Sequence, residues 1–184
     1  RLYSLNPFYA LCVSVVKMNP AEDIFDVVNE NDEIIDQQPR SLVHSQGLRH
    51  RAAHVLVFNK AGQAFLQLRS QSKDNHPGVW DNSCSGHVDA GESYAVAAER
   101  ELMEEIGLLV EEPLKELFKL EARPENGMEF VTVFMTDSEG PFELNVEEID
   151  AGRWATPTEI QTALQTEPEK YSPTFRLIWE RLSP

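Results

Sequence analysis

The chain has 184 residues, 41% of them hydrophobic and 26% charged. That is enough apolar side chain to bury one core without disulfides, and too much for a disordered chain. A net charge of −15 excludes a broad electrostatic grip on nucleic acid, and no run of 18 apolar residues is present to span a bilayer.

Residues 1–17 are expected to be an N-terminal extension, either upstream sequence or added residues, because the chain lacks an initiating Met and Met18 stands just before the first strand-like run. Over residues 18–48 the apolar pattern predicts a β-hairpin, Ile24–Val28 and Glu33–Ile35 around Asn29–Asp32. A short helix follows, with Pro39 in its first turn. Residues 49–184 are expected to form the main domain. His54–Phe58 and Ala64–Leu68 read as strands joined by the turn Asn59–Gly62, and residues 70–80 as a loop carrying Pro77-Gly78. From Ser93 to Glu105 apolar positions recur at helical spacing, with Gly107 as the cap. Strands are predicted at about 114–121 and 129–136, and helices open at Thr156-Pro157 and Ser172-Pro173. The order of elements gives a single α+β domain. Cys12 and Cys84 are the only cysteines and form no CxxC pair, which argues against thiolate zinc and for a reducing, cytoplasmic setting.

The charge is unevenly placed. Residues 92–148 hold sixteen acidic and four basic side chains, which leaves −3 for everything else. Within that stretch Glu101, Glu104 and Glu105 fall at i, i+3 and i+4, so one helical face gathers three carboxylates. Their mutual repulsion costs stability unless a hard divalent cation with oxygen ligands offsets it. Arg100 is placed to pair with a neighbouring carboxylate, and Glu92 falls at the helix N-terminus, where the dipole favours a negative charge. Gly86 and Gly91 permit close approach of backbone to a phosphate.

The complete spacing, Gly86-x5-Glu92-x7-Arg100-Glu101-Leu102-x-Glu104-Glu105-x-Gly107-Leu108, resembles the Nudix box at every specified position. A chance match in a chain this long has odds on the order of one in ten million. The resemblance implies an α/β/α sandwich around a mixed β-sheet, hydrolysis of a diphosphate linked to another moiety, and Mg2+ or Mn2+ held by Glu101, Glu104 and Glu105 with Arg100 orienting them. It implies a small-molecule diphosphate substrate, with no extensive nucleic-acid binding and no membrane. The oligomeric state stays open, a homodimer being compatible with the sequence.

Within that family, Leu66–Ser70, Lys73, Pro77–Trp80, Asn82-Ser83 and Gly86-His87 are similar to isopentenyl-diphosphate isomerases and to bacterial hydrolases related to them. That likeness makes Arg69 and Lys73 diphosphate-binding residues. It adds His87 and Glu129 as further metal candidates, with His44 and His50 near the positions of two other metal-binding histidines. His54 and His76 are read as structural. The isomerase machinery is nevertheless depleted. Ser85 stands where isomerases have a catalytic cysteine, Gly127 replaces a glutamate, and Thr174 replaces a shielding aromatic. Cys84 lies one residue early, on the opposite face of a strand. The expected activity is therefore metal-dependent phosphoanhydride hydrolysis, with Glu148 and Glu147, then Glu129 and Glu101, as candidate general bases. Trp80, Trp154 and Phe130 are candidates for stacking on a nucleobase. The alternatives are an isomerase and a non-catalytic nucleotide-binding module.

Overall fold

The structure is a computed structural model that describes residues 23–182, so the expectation for residues 1–17 lies outside the described residues. Ile24–Val28 (β1) and Ile34–Pro39 (β2) form the expected hairpin, and Arg40–Gln46 (α1) follows at once. Pro39 ends the strand and caps the helix rather than occupying its first turn. A proline at that point terminates β pairing and presets the entry into the helix.

His50–Phe58 (β3) begins four residues earlier than its hydrophobic pattern suggested. It runs parallel to Glu129–Asp137 (β8) along its whole length, and β8 pairs in turn with Lys115–Leu120 (β7). On its other edge β3 meets Ala64–Arg69 (β4) only at Phe58–Ala64, after which the two strands part. Cys84–His87 (β6) takes the vacated edge, pairing with Ala52–Val55. The fork is closed by one hydroxyl: Ser83 Oγ accepts from Val57 N at 2.7 Å and donates to Phe65 O at 2.6 Å. β4 continues between Trp80–Asp81 (β5) and Ile149–Ala155 (β9). The sequence pattern gives no sign of β5 or β9, and β6 shows only in the alternation of Cys84 and Ser85. β5 and β6 are two and four residues long, too short for a sustained period to show, and Gly152 interrupts the pattern of β9.

This mixed sheet is covered on both faces, as a sandwich requires. Tyr94–Ile106 (α2) packs Ala97, Ala98, Leu102 and Ile106 against Ala53, Val55 and Val57. Pro157–Thr166 (α3) and Pro173–Leu182 (α4) bury Ile160, Phe175, Ile178 and Trp179 against Leu56, Leu66, Val131 and Val133. Thr156 and Glu159 form a reciprocal capping box at the start of α3.

The hairpin carries its own small core, Phe25, Val27 and Val43, and is fastened to the sandwich at two places. Near its base, Ala90 N donates to Ile24 O at 2.8 Å and Gly91 N to Asp26 Oδ2 at 2.9 Å; toward the tip, Val28 N donates to Arg49 O at 2.9 Å. At its tip Asp32 accepts from Arg51 Nε and Lys119 Nζ, both at 2.6 Å, and from Tyr94 Oη at 2.9 Å. Burial opposes the Asp32 charge, yet these donors hold its pKa below the ordinary aspartate value. A depressed carboxylate pKa stabilises above the unfolded value and is lost only as pH falls through the folded one. The fastening is therefore constant through the neutral range. Asp32→Asn keeps the shape and removes the charge. It should weaken the hairpin's attachment by roughly 2 kcal/mol, the scale of charge-assisted hydrogen bonds. The expected readout is faster hydrogen exchange at the Val28 amide, with exchange in α4 unchanged.

Candidate active site

Helix α2 begins at Ser93, whose side chain accepts from Val96 N, and ends at Gly107 in the left-handed region (φ 67°). Between these caps Glu101 and Glu105 are buried on the face that meets β6, while Glu104 is half-buried beside them. Buried carboxylates survive only with partners. Arg100 supplies them: its Nη1 lies 2.5 Å from Glu101 Oε1 and 3.3 Å from Glu104 Oε2, and its Nε and Nη2 grip both oxygens of Glu92 at 3.0 and 2.9 Å. Nη2 also donates to His87 O at 3.0 Å. Glu92 thus anchors the guanidinium as well as meeting the helix dipole. Burial works against the Arg100 charge, but Glu92 and Glu101 raise its pKa above the ordinary arginine value.

Glu105 Oε2 accepts from Gln67 Nε2 and from Ser85 N, each at 3.0 Å. Gly86 explains how Glu101 fits against β6. A Cβ added there would lie 2.1 Å from the Glu101 carboxyl carbon. The room this glycine makes is filled by the metal-binding candidate itself, and Gly86 stands in a strand, not in a flexible loop. Three carboxylates around one guanidinium, with Glu105 beside them and hard oxygen donors on one helical face, fit a divalent cation.

The face opens on a cavity of about 920 Å3 whose walls include Arg69, Lys73, Glu101, Glu105, Glu147 and Glu148. Arg69 is engaged by its own loop, donating to His76 O, Asn75 O and Asp81 Oδ2 at 3.2, 3.1 and 3.4 Å. Lys73 pairs with Glu148, so one expected phosphate clamp and one candidate base hold each other. Glu147 is exposed in the same turn, and its carbonyl accepts from Ser72 Oγ at 3.0 Å. None of Trp80, Trp154 and Phe130 is among the residues that line this cavity. Phe130 is buried, Trp154 packs on Phe65 and Phe142, and Trp80 is covered by Arg153, so the expected stacking platform is absent there among the described residues.

At the other end, His44 from α1, His50 from β3 and His87 from β6 bring one ring nitrogen each within 4.8 Å of the others. His44 Nε2 and His87 Nε2 are 3.2 Å apart. Glu129 Oε1 lies 3.2 Å from His87 Nε2 and 3.6 Å from His50 Nε2. His50 Nδ1 pairs with Leu48 O at 2.9 Å, and its Nε2 is buried without a hydrogen-bond partner among the described residues. Burial pushes the His87 pKa down to about 4 and lowers that of His44, so both imidazoles are neutral at pH 7. Burial raises the Glu129 pKa, but His50 and His87 outweigh it and hold the group well below the carboxylate range. Three imidazoles with a carboxylate and an orphaned nitrogen suit a divalent metal. His87 and Glu129 lie far in sequence from His50, and the register of β3 with β6 and β8 brings them to it, while α1 brings in His44.

A family model of the NUDIX domain matches residues 48–177. The chain belongs to the Nudix hydrolase family. An uncharacterised Nudix hydrolase of Yersinia pestis is 38% identical over 148 residues, covering 79% of this chain and 81% of that protein. An isopentenyl-diphosphate Delta-isomerase of Serratia proteamaculans is 31% identical over 164 residues, 88% of this chain and 92% of that one. The crystal structure of DR0079 from Deinococcus radiodurans superposes with a TM-score of 0.79 at 26% identity, covering 88% of this chain and all of that one. Nudix hydrolases act on small molecules, generally nucleoside diphosphate derivatives, with divalent metal ions. No helix among the described residues is long and apolar enough to cross a membrane.

Against the isomerase branch, the positions that depart are gathered in this cavity. Ser85, Gly127 and Thr174 all line it, whereas Cys84 is fully buried beneath α2. The positions of the Nudix box, by contrast, are packed and bonded as a unit. Gly86→Ala should expel Glu101 from its seat and lower metal-dependent turnover by roughly 100-fold or more, the scale of losing a preorganised electrostatic group. Turnover and Mn2+ binding by electron paramagnetic resonance check it; near-normal values for both would show that Glu101 has no part in the metal site.

Proposed function

We propose that this enzyme hydrolyses a phosphoanhydride bond in a nucleoside diphosphate linked to another moiety, or in a similar diphosphate compound, with Mg2+ or Mn2+. The observation that carries the reading is the intact carboxylate face of α2 opening on the cavity that Arg69 and Lys73 also line. Glu101, Glu104 and Glu105 would hold the cation; Arg100 keeps the first two in place, and Gln67 with the Ser85 amide holds the third. The bound cation neutralises charge on the diphosphate and acidifies water. Lys73 and Arg69 would meet the phosphates, Lys73 as a mobile point charge and Arg69 through the N–H groups its loop leaves over. Because Lys73 is paired with Glu148, transfer of the ammonium to an incoming phosphate would release Oε2 of Glu148 to accept a proton from the attacking water. That coupling favours Glu148 over Glu147 as the general base.

His44, His50, His87 and Glu129 would hold a second cation. Nitrogen ligands prefer a borderline metal such as Mn2+ or Zn2+ to Mg2+. These four residues are also the feature that favours the isomerase reading. Isomerisation, however, needs an acid at the alkene and a base at the neighbouring carbon. Ser85 is a weaker acid than a thiol, and Gly127 offers no carboxylate.

Incubation with nucleoside diphosphate derivatives, dinucleotides, capped RNA and prenyl diphosphates should reveal Mg2+-dependent release, with solvent 18O entering a phosphate product. No dimethylallyl diphosphate should form from isopentenyl diphosphate. Glu104→Gln and Glu105→Gln should each reduce turnover by roughly 10^2–10^3-fold or more. Their melting temperatures should be unchanged or higher, since repulsion on the helical face is relieved. Near-normal activity in either variant would remove the carboxylate face from the mechanism.

A further inference from the structure

His54, read from the sequence as structural, occupies β3 directly across from Ser85 of β6 and lines the same cavity. It is 5% exposed. The protein engages its ring at Nδ1, 2.8 Å from Asn82 Nδ2. The sense of that bond follows from the next link. Asn82 Nδ2 also lies 3.0 Å from Asp81 Oδ1, which accepts from Asn82 N at 2.8 Å as well, and Asp81 Oδ2 faces Arg69 Nη1. A carboxylate paired with a guanidinium only accepts, so the Asn82 atom turned toward it must be the NH2 group. Its second hydrogen then points at His54, whose Nδ1 must be the acceptor. The ring proton is thereby placed on Nε2. Burial lowers the His54 pKa, so the ring carries no charge at pH 7. A donor at the wall of a cavity is costly to leave unpaired.

We propose that His54 is a substrate-binding residue whose Nε2–H donates to a phosphate oxygen of the bound diphosphate, with its tautomer set by the chain Arg69–Asp81–Asn82. The assignment rests on the diphosphate reading of the cavity. It gives the site a neutral donor, which grips phosphate oxygens without competing with the cation for the Glu101 and Glu105 carboxylates.

The test uses the full chain labelled with 15N-histidine and titrated with methylenediphosphonate and Mg2+. Before addition, the His54 signals should show the Nε2–H tautomer. On saturation the Nε2–H proton should shift and exchange more slowly, with Nδ1 little changed. His54→Leu should weaken diphosphonate binding about tenfold, the equivalent of one hydrogen bond, and His54→Gln should recover most of the loss through its amide N–H. A Nδ1–H tautomer, or diphosphonate binding that leaves the His54 signals unmoved, overturns the assignment alone. Failure of the unaltered protein to bind diphosphonate strikes the diphosphate site itself.

Discussion

The contact between Arg100 and its carboxylates determines where the rest of the site can stand. A guanidinium has five N–H groups in a fixed plane, and here they reach Glu92, Glu101, Glu104 and the carbonyl of His87. Those partners belong to the loop before α2, to α2 itself and to the end of β6. One side chain therefore fixes the helix against the strand and holds the carboxylates at a common level. Gly86 makes the arrangement sterically possible, and the Ser85 amide and Gln67 complete it from the two strands that flank the fork.

A second set of charges decides whether the N-terminal residues belong to the site. Asp32 gathers Arg51, Lys119 and Tyr94 at the hairpin tip, while Asp26 receives the Gly91 amide near its base. With both ends pinned, α1 is brought over β3, and His44 meets His50 and His87 above Phe25. The histidine cluster is thus a junction between hairpin and sandwich. A metal bound there would be linked to docking of the hairpin, because His44 comes from one side and the other three ligand candidates from the other.

Much of this was legible in the sequence, for physical reasons. The face formed by Glu101, Glu104 and Glu105 needs only helical periodicity, and the caps Ser93 and Gly107 announced where that helix begins and ends. The hairpin around Asn29–Asp32 was equally local. What could not be read depends on register between distant segments. The start of β3 at His50 was hidden because Arg51 breaks the apolar pattern, and β9 was hidden by Gly152, whose missing side chain accommodates Phe65. His54 appeared to be an ordinary buried polar residue, since nothing in its neighbourhood of sequence points to Asn82 or Asp81. Trp80 and Trp154 suggested base stacking by residue type alone, whereas packing against Arg153, Phe65 and Phe142 sets both outside the cavity on which the carboxylate face opens.

The fork between β3 and β4 has an evolutionary consequence. Because β6 inserts where β4 departs and Ser83 seals the join, the floor of the cavity is made from paired strands and one helix. Its rim is made from the segment after Arg69, the turn around Glu147 and the N-terminal hairpin. Mutation or insertion in the rim can remodel what is held beside the diphosphate while the floor keeps its geometry. Substitution at Ser85, Gly127 or Thr174, which line the cavity, would instead change the groups offered to the reacting atoms while the backbone pairing of the floor stays as it is. A lineage with this architecture can change substrate and change reaction by separate steps, and neither step requires the other to come first.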